Sequence, residues 1–481
     1  MNTDYEHFFI GGSWIAPSSS ERITVTGAST EEVVGGVPEG KPADMDAAVG
    51  AARAAFDDPS GWSTWEPGAR AEVMDHLADA LEVRGADIAG RVSTQSGMTL
   101  ALSSQMEGQM PAVLLRYYAK LLRSTPMEEA REGMFGAPIV VRREPVGVVG
   151  AIVPWNAPEV LAALKYAPAL AAGCTLVLKP SPEAPLDLNL LADAAMEAGV
   201  PDGVINIVPG GREVGAYLVS HPGIDKVAFT GSSAAGRKVA AACGELLRPV
   251  TLELGGKSAV IVLEDSELDL EKMGADLFAA TMLANGQACF ASTRVLAPRS
   301  RYDEVVDAVA AMAGSLSVGH PLDMSTQIGP LVSKRQRDRV EGYIAKGIEE
   351  GSRLVVGGGR PDHLSRGWFV EPTVFADVDN RQVIAQEEIF GPVLTVTRYE
   401  DENDAVRIAN ESDFGLGGSV WTADPAHGLD IARRVHTGTI GINNYNCDLA
   451  VPFGGVKASG VGREGGPEGL HSYQQLKSIY Q

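Results

Sequence analysis

Val146-Gly147-Val148-Val149-Gly150-Ala151-Ile152-Val153 is a run without a charge or a polar side chain, and Pro145 and Pro154 bound it. Such a run is what a strand buried on both faces of a sheet requires. The pattern after it is regular. Helical spacing starts at Glu159, and Thr175-Leu176-Val177-Leu178 reads as a second strand. A helix from Leu186 to Gly199 follows, then Val204-Ile205-Asn206-Ile207-Val208. A short helix from Glu213, a strand at Lys226-Val227-Ala228-Phe229, a helix from Ala234 and a strand at Val250-Thr251-Leu252 complete the series. Strands alternating with helices build right-handed βαβ units on a parallel sheet, so this half of the chain is a Rossmann-type, dinucleotide-binding α/β unit.

Upstream, Phe8-Phe9-Ile10-Gly11-Gly12-Ser13-Trp14 predicts a strand pair about a Gly-Gly turn, and Met45–Phe56 and Arg70–Leu81 carry helical spacing. The segment 123–144 is polar until Ile139-Val140-Val141, which is strand-like. A second α/β series begins at Ser258. Its strands are predicted at 259–263, 293–296, 393–398, 418–421 and 439–442, with helices near 303–312, 335–349 and 404–410. The glycine-rich stretch 353–360 reads as a surface loop.

A length of 481 residues suits two or three domains. The net charge of −22 argues against nucleic acid or an anionic membrane surface as partner, so any phosphate must be held by local donors. Four cysteines, Cys174, Cys243, Cys289 and Cys447, form no CxxC pair, which speaks against a metal site and for a reducing, cytoplasmic setting. The N-terminus has neither a basic region nor an apolar core of signal-peptide type. The longest apolar candidate for a membrane span, 160–178, is interrupted by Lys165 and Pro168.

Chemistry concentrates between Leu252 and Arg294. Leu252-Glu253-Leu254-Gly255-Gly256-Lys257 opens the stretch and Gly286-Gln287-Ala288-Cys289-Phe290-Ala291-Ser292-Thr293-Arg294 closes it. A thiolate is a strong nucleophile, and a nearby carboxylate serves as general base for a second step. Alone, the pair is weak, because most cysteines are small buried hydrophobes. Val153-Pro154-Trp155-Asn156 leaves the first buried strand at the sheet edge where ligands bind, and Asn156 reads equally as an oxyanion donor or a helix cap. Leu178-Lys179-Pro180-Ser181 ends the second strand, where a lysine reaches ribose or phosphate or merely faces solvent. Phe229-Thr230-Gly231-Ser232-Ser233-Ala234-Ala235-Gly236 joins a strand to a helix, as a phosphate cradle or an ordinary capped turn. Glu387-Glu388-Ile389-Phe390-Gly391-Pro392-Val393 sets a carboxylate and an aromatic ahead of a strand.

Taken in this order, with Pro452-Phe453-Gly454-Gly455-Val456-Lys457-Ala458-Ser459-Gly460-Val461-Gly462-Arg463-Glu464 near the end, the motifs resemble the aldehyde dehydrogenase superfamily over nearly the whole chain. The resemblance implies Cys289 as nucleophile, Glu253 as general base and Asn156, with the backbone N–H of Cys289, as oxyanion hole. It implies Lys179 as adenosine-ribose ligand and Ser232 as pyrophosphate ligand, with Gly211, Gly215 and Gly231 along the cofactor path. Glu388 matches the nicotinamide-ribose ligand and Phe390 the residue packed against nicotinamide. Val153, Pro154, Trp155, Ser181 and Pro182 join the cofactor surface by position, as do Phe229, Thr230, Ala235 and Leu254.

The implied fold has a dinucleotide-binding domain (1–122 and 146–255), a catalytic domain (256–450) and an oligomerisation β-arm (123–145 and 468–481), in a homodimer or homotetramer. The implied reaction oxidises an aldehyde to a carboxylic acid through a cysteine thioester, with hydride transfer to NAD. Glu253 separates the chain from the coenzyme-A-acylating branch, which commonly lacks that base. Retention of Cys289, Glu253 and Asn156 speaks against a catalytically silent relative, and cofactor dependence separates the dehydrogenase from an esterase-like hydrolase using the same thiol.

Two departures stand out. Relatives often carry glutamate three residues after the ribose lysine, where this chain has Pro182 and then Glu183. Glu183 can swing in and recover part of the lost bond, though its backbone position points it elsewhere, and no arginine follows nearby; the reading is NAD with weak discrimination and some use of NADP. The Glu253–Cys289 interval is also longer than in many relatives, and the intervening helix is expected to absorb the excess at a turn. Tyr117, Tyr118, Trp155, Phe290, Tyr445 and Cys447 are the candidate substrate wall, a mix suited to an apolar or aromatic aldehyde.

Overall fold

The computed structural model describes residues 3–481. An eight-stranded sheet dominates the first half. Its order is Gly460–Val461, Val250–Glu253, Lys226–Thr230, Val148–Ile152, Thr175–Lys179, Ile205–Ile207, Phe8–Ile10, Ser13–Ile15. The five central strands pair in parallel, and the two ends are closed antiparallel, by the N-terminal hairpin and by Gly460–Val461. Val148–Ile152 is buried along its length, as its unbroken apolar sequence requires. The chain order reverses beside this strand, which places a crevice at its carboxyl end.

Helix Pro158–Ala172 follows that strand, with proline in the first turn and Gly173 in the left-handed region at its end. It is almost wholly buried, Lys165 included. Its first turn is capped from another helix end: the carboxyl of Glu107 accepts the N–H groups of Glu159 (2.8 Å) and Val160 (3.4 Å). Helix Pro67–Ser96 extends well beyond the predicted Leu81 and stops where Gly97 takes φ 81°. A second hairpin, Arg22–Thr26 with Val33–Pro38, was not anticipated.

The second half is a seven-stranded sheet, ordered Arg353–Val356, Thr373–Ala376, Val393–Tyr399, Arg294–Pro298, Ala259–Val262, Gly418–Trp421, Gly441–Ile442. Here the expected surface loop at 353–360 is corrected. Its first four residues form an antiparallel edge strand against Thr373–Ala376, bulged between Leu354 and Val356. Leu354, Val355 and Val356 supply strand-forming side chains, and the glycines at 357 and 358, both with positive φ, only end the strand.

A third, small antiparallel sheet joins Glu128–Glu132, Pro138–Pro145 and Gln474–Tyr480. Its hairpin tip, Met134 and Phe135, is almost fully exposed.

Candidate active site

The loop that carries Cys289 is held in a strained shape. After helix Leu270–Thr281, Ala284 and Asn285 both take left-handed conformations, φ 53° and 61°, followed by Gly286 at 70°. For residues with a Cβ this costs roughly 1–2 kcal/mol each. The shape persists because the buried carboxamide of Asn285 is saturated. It donates to the carbonyls of Gly97 (2.8 Å) and Pro330 (2.9 Å) and accepts the N–H of Gly329 (2.7 Å). Gln287 adds a further tie, accepting the N–H of Val332 at 3.1 Å. Gly256, from the other half of the chemical stretch, lies so close that a Cβ would collide with the Cys289 carbonyl.

Asn156 is not a helix cap. Helix Pro158–Ala172 begins at Ala157 without a side-chain cap, and the Asn156 amide donates to Gln287 O at 2.9 Å. That bond uses one amide hydrogen and fixes the side chain beside the cysteine loop, leaving a second donor. The half-buried thiol of Cys289 is held protonated by burial first, then by the negative fields of Glu388 and Glu253 and by Cys447.

Glu253 ends strand Val250–Glu253, 2% exposed, with neither carboxyl oxygen hydrogen-bonded among the described residues. Burial drives its pKa well up, Glu464 adds to the rise, and Lys165 and Arg463 oppose it. Beneath it the buried ammonium of Lys165 donates to Glu464 Oε1 (2.8 Å) and Thr230 Oγ1 (2.6 Å). Gly454, at φ 151°, keeps clear the space beside Glu253, since a Cβ would lie 2.6 Å from Oε1. A carboxyl poised to exchange a proton beside a thiol and an amide donor is equipped for acyl transfer through sulfur.

The cofactor candidates lie along the carboxyl edge of the first sheet. Lys179 is buried, its ammonium lowered to about 8 by burial and bound to the carbonyls of Pro180 (2.8 Å) and Gly210 (2.6 Å). Gly215 flanks its stem, where a Cβ would sit 3.5 Å away. Gly211 precedes helix Arg212–Ser220. Glu183 turns back toward the strand end: its carboxylate accepts the Ser181 hydroxyl and pairs with Arg335 at 2.7 Å. Pro182 is half-buried between them.

Ser232 caps helix Ser233–Glu245, accepting the Ala235 N–H at 3.3 Å, at a helix start next to Gly231. Phe229 and Leu254 are buried beneath this turn, and the Thr230 hydroxyl faces inward to Lys165. Val153 is buried, with its N–H on the carbonyl of Lys179 at 3.2 Å, while Pro154 and Trp155 are half-buried. Across the cleft, Glu388 accepts the Gly256 N–H at 3.0 Å, and burial pushes its carboxyl to about 6. Phe390, at φ 63°, meets Trp155 edge-on with centroids 5.4 Å apart. Buried Lys257, lowered to about 7 by burial, has no hydrogen-bond partner for its ammonium among the described residues. A buried amine, glycine-cleared surfaces, a helix start and a carboxylate facing an aromatic pair are a donor set that fits a dinucleotide.

On the substrate side Phe290 and Tyr445 stack, with centroids 5.1 Å apart, and Thr439 Oγ1 lies 2.6 Å from the Tyr445 hydroxyl. Cys447 is exposed, and Tyr117 donates to Ala450 O at 3.1 Å. Tyr118 is a correction: it is wholly buried in the helical core, near Gly469, and lines no cleft. Lys165, Glu464, Asn285 and the Glu183–Arg335 pair escaped the sequence reading. Glu464 closes the quoted Pro452–Glu464 motif, Glu183 follows Pro182 and Asn285 stands just before Gly286-Gln287-Ala288-Cys289, but none of their partners was legible from those positions.

Comparison with known proteins agrees with this geometry. The profile of the aldehyde dehydrogenase family matches residues 14–479. A geranial dehydrogenase of Castellaniella defragrans is 56% identical over 480 residues, covering 100% of this chain and 99% of that protein. The crystal structure of a Mycobacterium tuberculosis aldehyde dehydrogenase complexed with NAD+ superposes with TM-score 0.97 at 50% identity, covering 100% of this chain and 99% of that one. A Pseudomonas syringae aldehyde dehydrogenase mutant complexed with NAD+ and octanal gives TM-score 0.94 at 39% identity, covering 98% and 96%. With a thiol, a buried carboxyl and an amide donor gathered at the junction of its two large sheets, and with a family match spanning almost its full length, the chain belongs to the aldehyde dehydrogenase family.

Proposed function

We propose that this aldehyde dehydrogenase oxidises apolar aldehydes to carboxylic acids through a thioester on Cys289, with NAD as its cofactor. The observation that supports the reading is the Asn156 amide bound to Gln287 O, two residues before Cys289, with buried Glu253 near enough to act electrostatically on the thiol. The thiol, once deprotonated, adds to the aldehyde carbonyl. The oxyanion that forms is met by the free amide hydrogen of Asn156 and the Cys289 N–H, and loss of one such donor costs about 3 kcal/mol of barrier stabilisation. NAD, when bound, supplies the hydride acceptor that turns the adduct into an acyl group on sulfur. Lys179, Ser181, Gly211, Gly215 and Ser232 hold its adenosine and phosphates, and Glu388 and Phe390 its nicotinamide end. Glu253 then takes a proton from water, and the hydroxide displaces the cysteine sulfur to free the acid.

The stacked Phe290–Tyr445 wall favours an apolar chain over a charged one, in keeping with a relative named for geranial and a solved relative holding octanal. The test is kcat/KM across geranial, octanal, a short aliphatic aldehyde and a cationic amino-aldehyde, followed as NAD-dependent product formation. The first two should lead by about tenfold or more, the worth of burying one or two methylenes. Preference for the amino-aldehyde would overturn the substrate class, and acid formation independent of cofactor would overturn the reaction.

The same reading takes 1–122 with 146–255 as the dinucleotide-binding domain, 256–450 as the catalytic domain and 123–145 with 468–481 as an oligomerisation arm in a homodimer or homotetramer. Support comes from the separate third sheet and its exposed apolar tip. Four unpaired cysteines favour the cytoplasm, and among the described residues no helix is long and apolar enough to cross a membrane.

A further inference from the structure

We infer that the second large sheet carries a binding site of its own, a cavity at its carboxyl edge that takes a small hydroxylated oxyanion on Arg398 and Thr397. The groups described above use the other edge of this sheet: Cys289 and Glu388 precede strands Arg294–Pro298 and Val393–Tyr399. These two strands are parallel neighbours. Strands Arg353–Val356 and Thr373–Ala376, which come after Arg294–Pro298 in the chain, lie on one side of the pair. Strand Gly418–Trp421, which comes after Val393–Tyr399, lies on the other. Where chain order reverses in this way, a parallel sheet opens a crevice at its carboxyl ends, and ligands bind there.

A cavity of about 590 Å³ occupies that position. Tyr302, which opens the helix after Arg294–Pro298, lines it together with Thr397 and Arg398 near the end of Val393–Tyr399. Its carboxylates are already engaged. Arg381 holds Asp379 at 2.5 Å, Arg407 holds Asp404 at 2.7 Å and Glu411 at 2.5 Å, and Arg353 holds Asp377 at 2.7 Å. Arg398 is left over. Its contact with Asp377 is 3.9 Å long, and it spends no N–H on a hydrogen bond among the described residues.

The Arg398 guanidinium lies instead over the Tyr302 ring, 4.2 Å from its centroid. That ring is pinned, because the buried Tyr302 hydroxyl accepts the Asp377 N–H at 2.6 Å and donates to Val396 O at 3.3 Å. Arg398 is therefore held in place with its donor fork unspent, the arrangement that grips a carboxylate or a phosphate. Thr397, 5% exposed, borders the same cavity, and its hydroxyl has no hydrogen-bond partner among the described residues. Buried hydroxyls are normally bonded, so this one is suited to a hydroxyl on the ligand's body. The carboxylates of Asp377, Asp379, Asp404 and Glu411 are balanced by Arg353, Arg381, Arg398 and Arg407, so an anion is not turned away, whereas a cation would find each carboxylate engaged. The volume exceeds that of a bare ion and suits a small organic molecule, a hydroxy acid or a polyol phosphate.

The test is calorimetric titration of the intact enzyme with glycerate and with glycerol phosphate, which share a hydroxylated body and differ in the anionic head. Each titration is run with and without saturating NAD+. At least one of the two should bind, with NAD+ present as well as absent, and the tighter one identifies the head group. Arg398→Gln should weaken that binding by about tenfold or more, and Thr397→Val by about threefold or more. Arg398→Lys, which keeps the charge and loses the fork, should fall between wild type and Arg398→Gln. Arg398→Gln should also keep the thermal midpoint and aldehyde turnover of wild type, which separates loss of the site from loss of the fold. Absence of binding by either compound below about 10 mM overturns the proposal, as does an affinity unchanged in Arg398→Gln or in Thr397→Val. Binding that NAD+ abolishes places the anion on the dinucleotide surface and overturns it equally.

Discussion

Glu253 and Glu464 are two carboxyl groups buried around one ammonium, Lys165, and that ratio governs when Glu253, the proposed base, is ionised. Burial and the Glu464 charge raise the Glu253 pKa, so the ionised base gains population as pH rises, and kcat limited by deacylation should climb with it. Glu464→Gln removes the repelling charge and leaves Lys165 beside Glu253. The rising limb of kcat against pH should then move down by about one unit, at a stability cost of roughly 3–5 kcal/mol for the broken buried pair. An unmoved limb would show that another group controls it. Cys289→Ala should abolish oxidation, and Glu253→Gln should show a burst of reduced cofactor and then slow turnover, read by stopped flow. At this scale the sequence disclosed the residues that sit in glycine-bearing motifs. Lys165 and Glu464 stand 299 residues apart and Glu183 and Arg335 152 apart; Glu464 ends a quoted glycine-bearing motif, but Lys165 and Arg335 lie in sequence that reads as ordinary helix. Their meaning is created by pairing, which periodicity cannot display.

Among the elements, the left-handed turn before Cys289 and the cap on helix Pro158–Ala172 carry separate predictions. Asn285→Ala removes three hydrogen bonds and should destabilise by about 2–4 kcal/mol. It should also cut kcat more than it raises the KM for NAD, because the loop aims the thiol. Ala284→Gly, which only relieves a positive φ, should hold or raise the thermal midpoint. Glu107, the cap, has its carboxyl pushed up to about 8 by burial and by the Asp187 charge. Its folded value lies above the unfolded one, so the stability it allows is complete below about pH 4.5 and falls as pH rises toward 8. Glu107→Gln keeps an acceptor oxygen and removes the ionisation. Its unfolding free energy should exceed wild type increasingly from pH 5 to pH 8, by on the order of 2–4 kcal/mol at the top. A constant gap across that range would refute the assignment. The central strands were readable because burial on two faces leaves an unbroken apolar signature, as at 148–152. The edge strand Arg353–Val356 was missed because its short run of Leu-Val-Val is followed at once by glycines.

For the whole molecule, the third sheet is the part least able to stand alone. Strands Glu128–Glu132 and Gln474–Tyr480 form its two edges, and Met134, Phe135, Leu476 and Tyr480 present apolar surface to solvent. Tyr480→Asp together with Leu476→Asp should shift sedimentation from dimer or tetramer toward monomer and lower the thermal midpoint. A wild-type monomer at micromolar concentration with full activity would contradict the assembly.

The eight-stranded sheet carries one more consequence. Its outer strand beside Glu253 is Gly460–Val461, and the base's neighbours Arg463 and Glu464 follow directly. A nascent chain leaving the ribosome therefore makes Glu253 long before it makes the strand that pairs beside it. Until Gly460–Val461 emerges, the edge of Val250–Glu253 stands open in the cell, and the growing polypeptide has most need of a chaperone there. Premature termination anywhere before residue 460 should yield an inactive, aggregation-prone product rather than a weakened enzyme.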